Sequence, residues 1–390
     1  MVTRVLATCE LGRGYGHVAN AAAIARGLSR RGVETVFATR DLSTASRVSD
    51  RPFARLIQAP LYTGRVRLVP TLTYAQAISD GGMHDADEAT VLVAAWLQLF
   101  DLLGPDGIAA EFAPASLLAA HIAGLPAVRF GSAWAAPPAG SPLRSVMPWV
   151  ADDVAARLAS CAAADAVVRT VCRRFGAALI DGVGELLGCR ARLLATWPEL
   201  DHYGPAAGEV YYGPMTGLGG SFRPAWPEGD GPRTFIYMSA HHPAAANLEV
   251  ALSDLAWPVI WHGEGVHGSG RTISKLQVPV DTAAVLKGAA ICIGRGGHGT
   301  ACEALRFGCR QFMFPDTLES SLLAWRMQRL HLALSMPERS TAGEIRTVLA
   351  SSEDAAHRDS RERSRARYAT YAPARAEDQL AAAIAVAFGA

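Results

Sequence analysis

The stretch CIGRGGHGTACEAL, Cys292–Leu305, sets Gly296, Gly297, Gly299, a histidine and a threonine between an apolar run and a segment with helical spacing. AAICIG reads as a buried strand, and TACEALRFG as a helix stopped at Gly308. The turn between them, RGGHGT, lets the backbone adopt positive φ and brings amide N–H groups close to whatever lies above it. A helix N-terminus adds unpaired donors and about half a positive charge. Arg295 adds a guanidinium able to grip two oxygens of one phosphate. Two readings stay open on this turn alone: a diphosphate cradle, or a βα turn with Thr300 as its cap and no ligand. Either way the unit is strand, turn, helix, and that unit decides the fold class.

Outward from it the same unit recurs. VTRVLATCEL is an apolar strand, GRGYGH a turn, VANAAAIARGLSRRG a helix closing at Gly32, and VETVFATR a second strand. LIQAPL, PDGIAAEF, LPAVRFGSAW, RARLLATWPELDHYG and GEVYYGPM read as further strands. APASLLAAHIAG and the alanine-rich 151–190 read as helical, and 135–150 as a surface loop. GLGGSFRPAWPEGDGPR concentrates Gly, Pro and charge and reads as a linker. Beyond it TFIYMSA, VIWHGE, TISKLQVPV, AAICIGR and RQFMFP restart the alternation, and AEDQLAAAIAVAFGA closes the chain as a helix. Strands joined by helical crossovers favour parallel, doubly wound sheets. The expectation is an α/β protein of two Rossmann-like domains with parallel sheets facing a cleft. The predicted layout is 1–215 for a first domain, 216–232 for the linker, 233–375 for a second domain and 376–390 for a closing helix.

Composition narrows the function. The 390 residues fit two domains at roughly 100–200 residues each. Half of them are hydrophobic, and the formal charge is +1, so no global field draws nucleic acid or an anionic membrane. The seven cysteines include no CxxC pair and predict buried thiols in a reducing compartment, with no metal-ligand spacing. No apolar run is long enough to span a bilayer and the N-terminus has no signal-peptide pattern, which predicts a cytoplasmic protein. The run HRDSRERSRARYATYAPARAE alternates charge and predicts a solvated helical face. GRGYGH lacks the G-x-G-x-x-G spacing of a dinucleotide fingerprint.

GRGGHGTACEALRFGCRQFMFP resembles the donor-site signature of the GT-B glycosyltransferases, in particular the bacterial family-1 class that includes macrolide and flavonoid glycosyltransferases. LGRGYGHVANAAAIARGLSRRGVETVFATR is similar to that class's first strand, turn and helix. PDGIAAEFAPASLLAAHIAGLPAVRFGSAW resembles the segment that carries the partner of its catalytic base, and TFIYMSA the strand opening its donor domain. The resemblance implies that Arg295 takes the place of a phosphate-binding His, with Gly296, Gly297, His298, Gly299 and Thr300 as further donors and Ser239 touching the phosphates. It places Glu303 on the ribose hydroxyls, Val278–Val280 at the nucleobase with Val280 among its contacts, and Glu319 and Ser320 where an acidic–Gln pair reads the sugar. Ser320 departs from that pattern, which bears on which sugar is used and on whether a typical donor is used at all. The resemblance also makes 1–215 the acceptor domain and 233–375 the donor domain, and implies that the helix 376–390 packs back on the first.

The acceptor hydroxyl loses a proton as it attacks the anomeric carbon, work suited to a near-neutral imidazole. His17 ends the first turn; alone it reads equally as a capping or surface residue, and the resemblance makes it the base. Glu111 is then the candidate for the carboxylate that orients it, though alone it reads equally as a surface residue at a strand end, and Glu10 is a secondary candidate. Trp96, Trp134, Met147 and Trp149 are candidates for an apolar acceptor wall, shaped by loops 60–100 and 135–190, and each reads equally as core. His241 and His242 are expected at the surface, and His262 and His267 have no partners that suggest metal. The function implied is a metal-independent, inverting transfer of sugar from a UDP- or dTDP-sugar to a hydroxyl or amine of a small, natural-product acceptor. The nucleotide sugar is a co-substrate, no cofactor or nucleic acid is expected, and the protein is expected as a monomer or homodimer. The competing readings are a nucleotide-sugar epimerase on the same fold and an inactive helper protein.

Overall fold

The computed structural model describes residues 2–47, 52–64, 71–215 and 220–389. Part of the expected acceptor loop, 65–70, and the start of the expected linker, 216–219, lie outside the described residues. The chain divides into two compact units, Met1–Met215 with Pro373–Ala390, and Thr216–Ala372.

The first unit is built on a parallel sheet of β1 Arg4–Cys9, β2 Glu34–Thr39, β3 Arg55–Gln58, β4 Gly107–Ala110, β5 Ala127–Gly131 and β6 Ala191–Leu194, in the order β3-β2-β1-β4-β5-β6. The second holds β7 Thr234–Tyr237, β8 Val259–His262, β9 Ile273–Leu276, β10 Ile291–Gly294, β11 Arg310–Met313 and β12 Leu334–Ser335, in the order β12-β11-β10-β7-β8-β9. Counted from β9, the second order repeats the first. The central strands read as apolar runs because both faces are covered; Val5–Cys9 of β1 and all of β4 are buried. In each unit the winding reverses between the first and fourth strands, where Thr8 pairs with Ala110 and Tyr237 with Gly294. Ligands of open α/β sheets bind just beyond the carboxyl ends of the strands at such a reversal.

The helix Pro373–Ala387 packs against the first helix, Tyr15–Ser29. Gly27 makes this approach close: a Cβ there would lie 2.8 Å from the Glu377 carbonyl oxygen and 2.6 Å from the Ala381 Cβ. Arg26 pairs with the Glu377 carboxylate, and Leu380 and Ile384 are fully buried, each worth about 1.5–3 kcal/mol of transfer free energy.

Several expectations need correcting. GEVYYGPM forms no strand; it contributes one isolated bridge, Leu194–Tyr211. The expected surface loop 135–150 begins buried, at Ala135–Pro137. The described part of the linker lies on the second unit, where Phe222 bridges Val280 and accepts from the Asp281 amide at 2.8 Å. Its Gly and Pro content prevents regular structure without detaching it. The basic run forms the helix Ala355–Tyr368 with only Ser360, Ser364 and Tyr368 buried. Among the described residues no helix is long and apolar enough to cross a membrane.

Candidate active site

Two clusters form, one at each winding reversal. In the first unit, β1 ends at Cys9 and β4 delivers Glu111. The loop from β1 enters the helix Tyr15–Ser29 through Gly14, whose φ of 84° suits glycine, and His17 follows in the first turn. Gly12 lies against the imidazole so closely that a Cβ would meet Cγ at 2.4 Å. His17 Nδ1 stands 2.8 Å from Glu111 Oε2, and Asn20 Nδ2 donates to Glu111 Oε1 at 2.8 Å. Glu111 is buried, and His17 is 16 % exposed. On the other side Gly131, at φ 115°, has no side chain to displace the carboxylate; a Cβ there would lie 2.9 Å from Glu111 Cγ and Oε1.

Burial by itself would raise the Glu111 carboxyl. The charge and hydrogen bond of His17, with bonds from Asn20 and Cys9, more than offset it and hold the group below its ordinary value. An ionised carboxylate can only accept, so Nδ1 carries a proton, and in the neutral imidazole the lone pair lies on Nε2. That is the tautomer a general base needs. Phe112 stacks on the imidazole with centroids 6.4 Å apart, and Trp134 meets Phe112 edge-on at 6.1 Å. Phe112 holds a φ of 49°, uncommon for a non-glycine residue, and its carbonyl accepts from the Leu11 amide at 3.1 Å, tying the two site loops together.

Glu10 has a different place. Its carboxylate accepts from the Ala115 and Ser116 amides at the mouth of the helix Pro114–Ile122. Burial pushes it up to about 8 despite those two bonds. Of the expected acceptor wall, Trp134 is buried beside Phe112, Met147 is half-buried and Trp149 is 41 % exposed. Trp96 is fully buried in the core against Phe100, so it offers no surface to an acceptor, contrary to that expectation.

In the second unit the turn after β10 enters the helix His298–Phe307 through Gly296, at φ 84°, and Gly297, its N-cap. No side chain caps this helix. Among the described residues neither the Gly299 nor the Thr300 amide has a protein acceptor, and the Thr300 hydroxyl does not cap. A Cβ at Gly297 or Gly299 would meet nothing within 4 Å, so the space above these amides is open. Arg295 is half exposed, with Nη2 3.0 Å from Asp316 Oδ1. Asp316 Oδ2 also stands 3.8 Å from His242 Nε2. His242 is buried, not at the surface as expected, and burial lowers its pKa. Ser239 donates to the Glu264 carbonyl at 3.2 Å and accepts from the His241 amide at 3.1 Å. His298 opens the helix with its ring near Cys302.

Three donor-side expectations meet obstacles. Ser320 is buried as the third residue of the helix Leu318–Arg329, where its hydroxyl accepts from the Thr317 amide at 3.0 Å and the Asp316 amide at 3.2 Å. It completes a capping box and does not reach outward. Glu319, beside it in that first turn, is half-buried. Glu303 is buried, with Oε1 3.6 Å from Arg306 Nη1. Val280 sits in the core with Phe235 and Leu286, so of Val278–Val280 it is Val278 and Pro279 that are exposed. Asn20, Gly131 and Asp316 were missed. Asn20 had a signal, since it follows His17 by three on one helix face.

No protein-family model matches the chain, and no curated protein matches it in sequence. Solved structures do match over nearly its whole length. The glycotransferase of kitacinnamycin aligns at TM-score 0.71 with 16 % identity over 98 % of both chains. The glycosyltransferase VinC, in complex with dTDP, aligns at 0.67 with 18 % identity over 99 % of both. SnogD from Streptomyces nogalater aligns at 0.63 with 20 % identity over 99 % of this chain and all of its own. The fold is GT-B. Spinosyn rhamnosyltransferase SpnG, at TM-scores of 0.61 and 0.63, has been solved with the spinosyn aglycone and with thymidine diphosphate. Within this GT-B chain, three further atoms matter: Cys9, His17 and Glu111 each offer one ligating atom, all within 4.8 Å of one another.

Proposed function

We propose that this chain is a glycosyltransferase that moves a sugar from a nucleoside diphosphate sugar to a hydroxyl, or an amine, of a small acceptor, with inversion and without a required metal. The observation that carries the reading is the His17–Glu111 dyad at 2.8 Å, at the reversal point of the first sheet. His17 Nε2 takes the acceptor proton while the acceptor oxygen forms its bond to the anomeric carbon. The bond from that carbon to the diphosphate oxygen breaks on the opposite side, and the nucleoside diphosphate leaves with the electron pair. Glu111 stabilises the imidazolium that forms, and Asn20 keeps the carboxylate in place.

The open amides of Gly299 and Thr300 and the guanidinium of Arg295 supply the donor side, where negative charge grows on the leaving oxygen. Fixed positive groups of this kind can take the part a divalent cation plays elsewhere. VinC and SpnG hold thymidine diphosphate, which favours a dTDP-sugar over a UDP-sugar. The natural products named for the relatives, among them kitacinnamycin and spinosyn, favour an apolar natural-product acceptor. Thermal denaturation against a panel of dTDP- and UDP-sugars tests the donor assignment, because ligand at 100 times Kd stabilises by about 2.7 kcal/mol. No shift with any nucleotide or nucleotide sugar would overturn it. Product analysis with donor alone separates transfer from epimerisation.

A further inference from the structure

The Cys9, His17 and Glu111 side chains gather sulfur, nitrogen and oxygen at one point. We propose that they form a binding site for a thiophilic divalent cation, Zn2+ in the first place, and that occupancy shuts off the base. The ligand set of one thiolate, one imidazole and one carboxylate is a zinc set, and it leaves a fourth tetrahedral position open. Bond lengths of about 2.0–2.3 Å imply ligand-to-ligand edges of roughly 3.3–3.7 Å. The three atoms here lie within 4.8 Å of one another, and the His17–Glu111 edge is 2.8 Å. A cation entering between them opens one edge slightly and draws the sulfur in by about 1 Å.

The three ligands stand on separate, rigid parts of the fold. Cys9 is the last residue of β1, Glu111 follows β4, and His17 lies in the first turn of its helix. Asn20 holds the second carboxylate oxygen, and Gly131 and Gly12 close on the other two faces. Binding as thiolate displaces the thiol proton, while the His17 proton moves from Nδ1 to Nε2. Affinity rises with pH.

The consequence for catalysis follows from tautomerism. With the cation on the Nδ1 lone pair, the neutral imidazole carries its proton on Nε2. Nε2 then has no lone pair with which to take a proton from an acceptor. Mg2+, which prefers oxygen ligands, has little affinity for such a set.

Inhibition rests on the proposed function, but binding does not, and the test keeps them apart. The chelator-treated full chain is titrated with Co2+. The expected result is a thiolate-to-cobalt charge-transfer band that Zn2+ abolishes by competition. Cys9→Ser should lose the band, and Glu111→Gln should weaken binding by about 10–100-fold, with melting curves confirming that each variant is folded. In parallel, Zn2+ should suppress wild-type sugar transfer at least about tenfold, EDTA should restore it, and Mg2+ should leave it unchanged. A wild-type chain without the band, or a band that survives in folded Cys9→Ser, overturns the site. Cobalt binding at Cys9 without any sugar transfer supports the site and overturns the functional reading. Transfer that continues with zinc bound at Cys9 overturns the tautomer argument.

Discussion

The two helices that follow the fourth strand of each sheet meet the same electrostatic problem and solve it differently. The mouth of Pro114–Ile122 is closed by a side chain of the protein, the Glu10 carboxylate, on the amides of Ala115 and Ser116. The mouth of His298–Phe307 has glycine at its N-cap, no capping side chain, and Gly299 and Thr300 amides without a protein acceptor. One unit carries its own carboxyl acceptor and leaves the adjacent space to a histidine. The other has no such acceptor of its own among the described residues, and on the proposed function a diphosphate takes that place. The repeated topology thus fixes where chemistry can happen, and a handful of residues at the reversal decides which kind.

Removing the acid–base half should have the largest effect. His17→Ala should lower kcat for sugar transfer by about 10²–10⁴-fold while leaving nucleotide-induced stabilisation intact, read by steady-state kinetics and thermal shift. Equal turnover in the variant would break the division of labour between the units.

The open mouth can be closed on purpose. Gly297 has φ −65° and ψ 128°, a conformation any residue adopts, and a Cβ there meets nothing. Gly297→Asp should cap the helix as Glu10 caps its counterpart, raising stability by a few tenths of a kcal/mol. The same carboxylate should repel a diphosphate and weaken nucleotide binding by at least about 100-fold. Calorimetry that found binding unchanged would contradict the cradle. Arg295→Met should be milder, raising KM for the donor about 10–100-fold, the loss expected for charge-assisted hydrogen bonds to phosphate.

The smallest effect concerns the closed mouth. Glu10 has its pKa raised from 4.5 to about 8 in the folded protein. The folded state therefore holds a proton that the unfolded state releases, so the stabilisation is complete below about pH 4.5 and is lost as pH rises toward 8. Glu10→Gln should make the melting temperature less dependent on pH across that window. An identical slope in both proteins would show that Glu10 is charged throughout.

Much of this layout is legible in the sequence because it is local. Apolar runs, glycine punctuation and helix spacing mark eleven of the strands from β1 to β11, and the turn at Arg295–Thr300 announces itself. His17 and Glu111 were readable through resemblance, and their contact spans 94 positions that no window covers. What stayed hidden depends on packing. Trp96 reads as a candidate wall until the core closes over it, and Ser320 as a sugar contact until its hydroxyl turns back to Thr317. Asp316 and His242 are 74 apart in number and meet only when β7 and β11 deliver their loops. The two-residue β12 is too short to leave a periodic signal.

The docking of Pro373–Ala387 on Tyr15–Ser29 also has a consequence for biosynthesis. The segment that seals the His17-bearing unit is translated after all of Thr216–Ala372, so the Arg295-bearing unit has its full set of strands while the other still lacks a wall. Contacts across such a separation form slowly, since the loop must close before they stabilise anything. A nascent chain should therefore complete its Arg295-bearing half first and its His17-bearing half second.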